Sequence, residues 1–129
     1  MKMIMNNTRV VFKTNNFEPI YSAEQLNDKS TYRFSAPIGE VKKGERFMVK
    51  LTSIGGTFET GFDLKLFGRD VNKDTIITEI TDLVPADVAN GKVYEVVFND
   101  ATDNAAIQIY AGKIYYTISM KIEVFKYVG

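Results

Sequence analysis

The chain has 129 residues, 45% of them hydrophobic and 25% charged, which is the composition of one folded domain with a sizeable core. It contains no His, no Cys and no Trp. Lacking imidazole and thiol groups, it has no Ser-His-Asp or Cys-His relay and none of the usual ligands for zinc, haem or iron–sulfur clusters, so a non-enzymatic protein is expected.

Sixteen Lys plus Arg balance sixteen Asp plus Glu. A neutral chain is not the profile of a nucleic-acid binder, and its weak self-repulsion suits a protein that works inside an assembly. The opening residues, MKMIMNN, fall short of the roughly 7–15-residue apolar core of a signal peptide, and no window approaches the run of about 20 apolar residues that spans a bilayer. Synthesis in a cytoplasm without membrane insertion is expected.

Along the chain, apolar residues recur with a period of two and not of 3.6. Residues 1–14 read as an N-terminal arm or first edge strand, containing a candidate strand at 9–13, and residues 15–129 as a single domain. Within that domain, residues 20–23 and 32–38 are short strand candidates. Phe47, Val49 and Leu51 alternate with Met48, Lys50 and Thr52, and Phe62, Leu64 and Leu66 alternate with Asp63 and Lys65. Residues 75–83 (TIITEITDL) are β-branched and predict a further strand. A single helical turn is expected over 83–89, with Pro85 at its start and Gly91 beyond its end. Tyr94, Val96 and Phe98 form another alternating row, and Ile107 and Ile109 the next. The clearest row is the last: the even positions from Ile114 to Val124 are apolar and the odd positions Thr117, Ser119, Lys121 and Glu123 are polar, which predicts one long half-buried strand.

Turn-forming residues separate these segments, among them Lys43-Gly44, Gly55-Gly56, Asn90-Gly91 and Ala111-Gly112-Lys113. The pattern predicts an all-β protein, a two-sheet antiparallel β-sandwich, with a jelly roll as the leading architecture and an immunoglobulin-like sandwich as the alternative.

One loop has the oxygen spacing of a cation site. Asp70, Asn72 and Asp74 stand at alternate positions, as at the start of an EF-hand loop, but Thr75 replaces the following Gly and Thr81 the distal Glu. The leading reading is an ordinary hairpin, with a structural calcium ion as the alternative; no other cofactor is expected. A second class of candidates is aromatic. If Ile107 and Ile109 face inward, Tyr110 and Tyr115 point outward on either side of the 111–113 turn, and Phe125 and Tyr127 share the outer face of the last strand. Outward aromatics on a sheet stack on a flat ligand such as a sugar, bury against another protein, or pack under a loop.

The segment YRFSAPIGEVKKGERFMVKL (residues 32–51) resembles the opening of carbohydrate-binding-module-like jelly rolls, in which a Tyr-x-Phe strand leads through a Lys-Lys-Gly-Glu turn to a Phe-x-Val-x-Leu strand. GKVYEVVF (91–98) and YYTISMKIEVFKY (115–127) are similar to later strands of such domains. Small β-sandwiches of this kind occur as bacteriophage structural proteins: capsid-decorating proteins, head fibres and tail modules. The resemblance implies a non-enzymatic virion protein, made in the host cytoplasm, that binds other virion proteins as a homo-oligomer or on a capsid lattice. It implies, as the alternative, a carbohydrate-binding module that would bind a glycan through Tyr110 and Tyr115, because the Trp that usually forms the sugar platform is missing.

Overall fold

The structure is a computed structural model, and it describes residues 16–27, 33–55, 63–81, 83–84, 87, 90–112 and 118–129. Eight strands are present among them: β1 (Phe17–Leu26), β2 (Arg33–Val41), β3 (Arg46–Gly55), β4 (Asp63–Asp70), β5 (Thr75–Ile80), β6 (Val93–Val97), β7 (Thr102–Gly112) and β8 (Ser119–Tyr127). They form two four-stranded sheets, ordered β1-β8-β3-β6 and β2-β7-β4-β5, and every pairing is antiparallel. The chain is therefore an all-β, two-sheet antiparallel sandwich. Its pairings are nested: β4 with β5, β3 with β6, β2 with β7 and β1 with β8. The N-terminal half of the strands thus runs back along the C-terminal half as one long ribbon, closed at the β4–β5 hairpin.

The alternating rows supply the core. Phe47, Val49 and Leu51 of β3, Met120, Ile122 and Val124 of β8 and Val96 of β6 face Phe34 and Ala36 of β2, Leu64 and Leu66 of β4 and Ala105, Ile107, Ile109 and Ala111 of β7, all of them buried. Phe98, just past β6, lies edge-on to Phe47 with ring centroids 5.5 Å apart. The inner faces of both sheets thus belong to one buried cluster, as in a packed sandwich.

Three expectations change in detail. The strand expected over 75–83 stops at Ile80, where its ladder with Leu66 ends, and Leu83 turns inward to a buried position. The last strand is described from Ser119 and runs on to Tyr127, while Ile114 to Thr117 lie outside the described residues, as do the arm at 1–14 and its candidate strand. Of the helical turn, Leu83, Val84 and Asp87 are described. Asp87 is helical, its N–H donates to Val84 C=O (3.0 Å), and the Asn90 N–H donates to Asp87 C=O (3.1 Å).

The crossing from β2 to β3 between the sheets is held by its own residues. Gly44, at φ 90°, takes the left-handed conformation that such a turn requires, its N–H donates to Phe98 C=O (2.7 Å), and the Phe98 N–H donates to Glu45 C=O (3.0 Å). Glu45 Oε1 accepts from the Lys42 N–H (2.8 Å), and Lys126 Nζ lies 3.1 Å from its other oxygen. Burial pushes the Glu45 carboxyl upward, but the Lys42 hydrogen bond and the Lys126 ammonium together hold it below its ordinary value of 4.5. A carboxylate lowered in this way binds its proton more weakly folded than unfolded. Its contribution is present above 4.5 and is lost as pH falls through the folded value. Glu45→Gln is therefore expected to flatten the decline in stability on the acid side of 4.5, measured as the urea midpoint against pH.

Candidate functional site

A concavity of about 950 Å³ lies on the outer face of the β1-β8-β3-β6 sheet. One row crosses all four strands, with Pro19 paired with Phe125, Phe125 with Met48, and Met48 with Glu95, and its apolar members form the floor. Phe17 and Tyr127 pair beside that row, with ring centroids 5.2 Å apart in an edge contact. Lys50 and Val93, also paired, line the far side.

A bulge brings Phe17 into this patch. The register of β1 on β8 shifts between Pro19 and Tyr21, and an extra residue inverts which face the following side chains occupy. Phe17 and Pro19 thus face outward, whereas Tyr21, Ala23 and Gln25 pair with the inward residues Val124, Ile122 and Met120. Pro19 within the edge strand is the sequence signal of such a bulge. The expected pair of outward aromatics on the last strand leaves Phe17, Pro19 and Met48 unassigned, because they come from other strands.

The patch carries little net charge. Arg46 pairs with Glu95 at 2.6 Å, both about half exposed, and its guanidinium lies over the Tyr127 ring, 4.5 Å from the centroid. An exposed pair of this kind adds little stability, but it covers one face of the Tyr127 ring and leaves the floor apolar. Phe125, Tyr127 and Met48 are each partly exposed at the floor.

The remaining candidates lie elsewhere. Tyr110 stands on the outer face of the other sheet, between Arg33 of β2 and Lys65 of β4, and so on the opposite side of the sandwich from Phe125 and Tyr127. Tyr115 lies outside the described residues. Asp70, Asn72 and Asp74 belong to the β4–β5 hairpin, where protein groups engage all three. Asp70 Oδ1 accepts from the Lys73 N–H (3.1 Å), Asn72 Oδ1 accepts from Asn104 Nδ2 (3.1 Å), and Asp74, at φ 53°, pairs with Arg69. The Val71 N–H also donates to Asn104 C=O (2.9 Å), so the hairpin is tied to the start of β7 beside a small concavity of about 250 Å³. Among the described residues no group of three or more Asp, Glu, His or Cys side chains is gathered for a metal ion.

Beneath the sheet, Tyr94 faces inward opposite Val49, and its hydroxyl is buried without a hydrogen-bond partner among the described residues. Burial raises its pKa, and the charge of Asp87 raises it further. A raised phenol keeps its proton and does no acid–base work near neutrality.

The sequence matches no family model and no curated protein. Among the described residues no helix is long and apolar enough to cross a membrane. The fold and this face define a β-sandwich with an apolar outer concavity.

Proposed function

We propose that this chain is a non-enzymatic structural module of the bacteriophage virion type, a capsid-decorating, fibre or tail component that attaches to protein through the outer face of its β1-β8-β3-β6 sheet. The observation that carries this reading is the apolar concavity floored by Phe17, Pro19, Met48 and Phe125. Aromatics and Met gathered at the centre, with charged groups at the side, is how protein interfaces are composed. The nested strand pairing supports a jelly-roll architecture over an immunoglobulin-like one, whose sheets group the strands differently. Zero net charge and the lack of His and Cys support assembly over catalysis.

A sugar platform needs an open ring face, and Arg46 occupies one face of Tyr127. That weighs for a protein partner at this patch, and leaves the glycan alternative resting on Tyr110 and Tyr115.

Light scattering over a concentration series tests the assignment. The unmodified protein is expected to exceed its monomer mass as concentration rises, and Phe125→Ser to remain monomeric with its fold intact. A strict monomer throughout, or association unchanged by Phe125→Ser, overturns the reading. Retention on a glycan array that is lost in Tyr110→Ala would replace it with the carbohydrate-binding alternative.

A further inference from the structure

β2 is an edge of its sheet, and its open side is hydrogen-bonded at Ser35 by side chains of β1, in the other sheet. In an antiparallel ladder successive residues direct their backbone groups to opposite sides. The hydrogen bonds show which side Ser35 takes: its N–H donates to Gln25 Oε1 (3.1 Å) and its C=O accepts from Gln25 Nε2 (2.6 Å). Ser35 therefore faces away from β7, and Gln25 returns the two bonds that a residue of an added strand would make.

The clamp is reinforced from the same strand. Tyr21, four residues before Gln25 and on the same inward face of β1, accepts from Gln25 Nε2 (2.6 Å) and directs its own hydroxyl to Ser35 C=O (3.4 Å). The next residue of β2 with the same outward direction is Pro37, which has no N–H to offer, and the register breaks immediately beyond it. A strand approaching this edge would find its central donor and acceptor occupied and its next donor missing. Exposed edges of this kind are templates for pairing with another chain unless something blocks them.

We infer that Gln25 is an edge guard: its side-chain amide occupies a latent strand-addition site on β2, and removing it opens that edge to a second copy of this chain. The occupant is a second copy because an edge reads backbone and not side-chain identity, and a neighbouring molecule of the same protein supplies extended backbone at the highest concentration. This association is separate from docking through the outer face of the other sheet.

The test compares Gln25→Met, which keeps the length and packing of the side chain, with the parent, both carried in Phe125→Ser so that the outer face does not contribute. Amide exchange at Ser35 and light scattering are followed over a concentration series. In dilute Gln25→Met, exchange at Ser35 is expected to be about tenfold faster than in the parent, the size expected for one net hydrogen bond. It should slow again as the protein is concentrated and the mass climbs toward a dimer or larger species. Adding Pro37→Val restores a donor and is expected to strengthen the association. Val96→Ala, a core change on β6, at the opposite edge of that sheet from β1, leaves the clamp intact and is expected not to associate. If Gln25→Met does not fold, Gln25→Glu keeps the acceptor for the Ser35 N–H, loses the donor to its C=O, and should move both readings the same way by less. The inference is overturned if Ser35 stays protected in dilute Gln25→Met, if the mass never rises, or if Val96→Ala associates equally.

Discussion

Phe98→Ala is expected to lower the stability of the domain by about 3–5 kcal/mol, the range for deleting a fully buried aromatic ring. For a domain whose total stability is about 5–15 kcal/mol, that is about a fifth or more of the whole. The ring is fully buried, lies edge-on to Phe47, and packs against Gly68 of β4, so it fills the space between the two sheets at one end of the sandwich. Its backbone also holds the inter-sheet crossing, through bonds with Gly44 and Glu45. The side-chain substitution leaves those bonds available, so the loss measures the cavity and the missing ring contacts. The urea midpoint should fall sharply while the dependence on urea concentration stays close to that of the parent. A midpoint near the parent value would mean that the end of the core can collapse around the missing ring.

Gly68→Ala is the converse change and carries the next largest effect. A Cβ built at Gly68 would lie 2.8 Å from Phe98 Cζ, 2.9 Å from its Cε2 and 2.9 Å from Thr78 Cγ2, closer than carbon atoms approach without something moving. The neighbours are an aromatic ring wedged against Phe47 and a strand of the same sheet, neither of which yields freely. Overpacking of this sort costs about 1–3 kcal/mol. Because the two sites touch, their effects should not add: Phe98→Leu, which removes the ring edge nearest Gly68, is expected to make the added methyl less costly. A double-mutant cycle on urea midpoints reads this directly, and simple additivity would show that the Phe98 ring is not what the new methyl meets. Gly68 also adjoins the register shift between itself and Arg69, so this position serves both the bulge and the ring above it.

The inward faces are legible in the sequence. Phe47, Val49 and Leu51, and Met120, Ile122 and Val124, alternate with polar neighbours, and alternation is a local property: two adjacent side chains of a strand must point to opposite faces. Alternation likewise places Phe125 and Tyr127 on an outer face, but it says nothing of the company they keep. Phe17 joins them because the bulge after Pro19 inverts the parity of β1, and Met48 and Arg46 join them because β3 lies next to β8. Tyr110 obeys the same alternation and yet belongs to the opposite side of the molecule, since β7 lies in the other sheet.

Gly68 and Gln25 teach the same distinction. Nothing local marks Gly68 as a position that a methyl would overfill, because the obstructing ring comes from residue 98. Nothing local marks Gln25 as a cover for β2, because its partner is the backbone of Ser35 across the seam between the sheets. Composition and period by themselves determined an all-β chain with a Trp-free aromatic core and no His or Cys chemistry. The tertiary structure alone decided which outward residues form one surface, which edge is covered and where glycine is obligatory. Alternation is set by the geometry of a single strand, whereas strand order, register and bulges are set by pairing between segments distant in the chain.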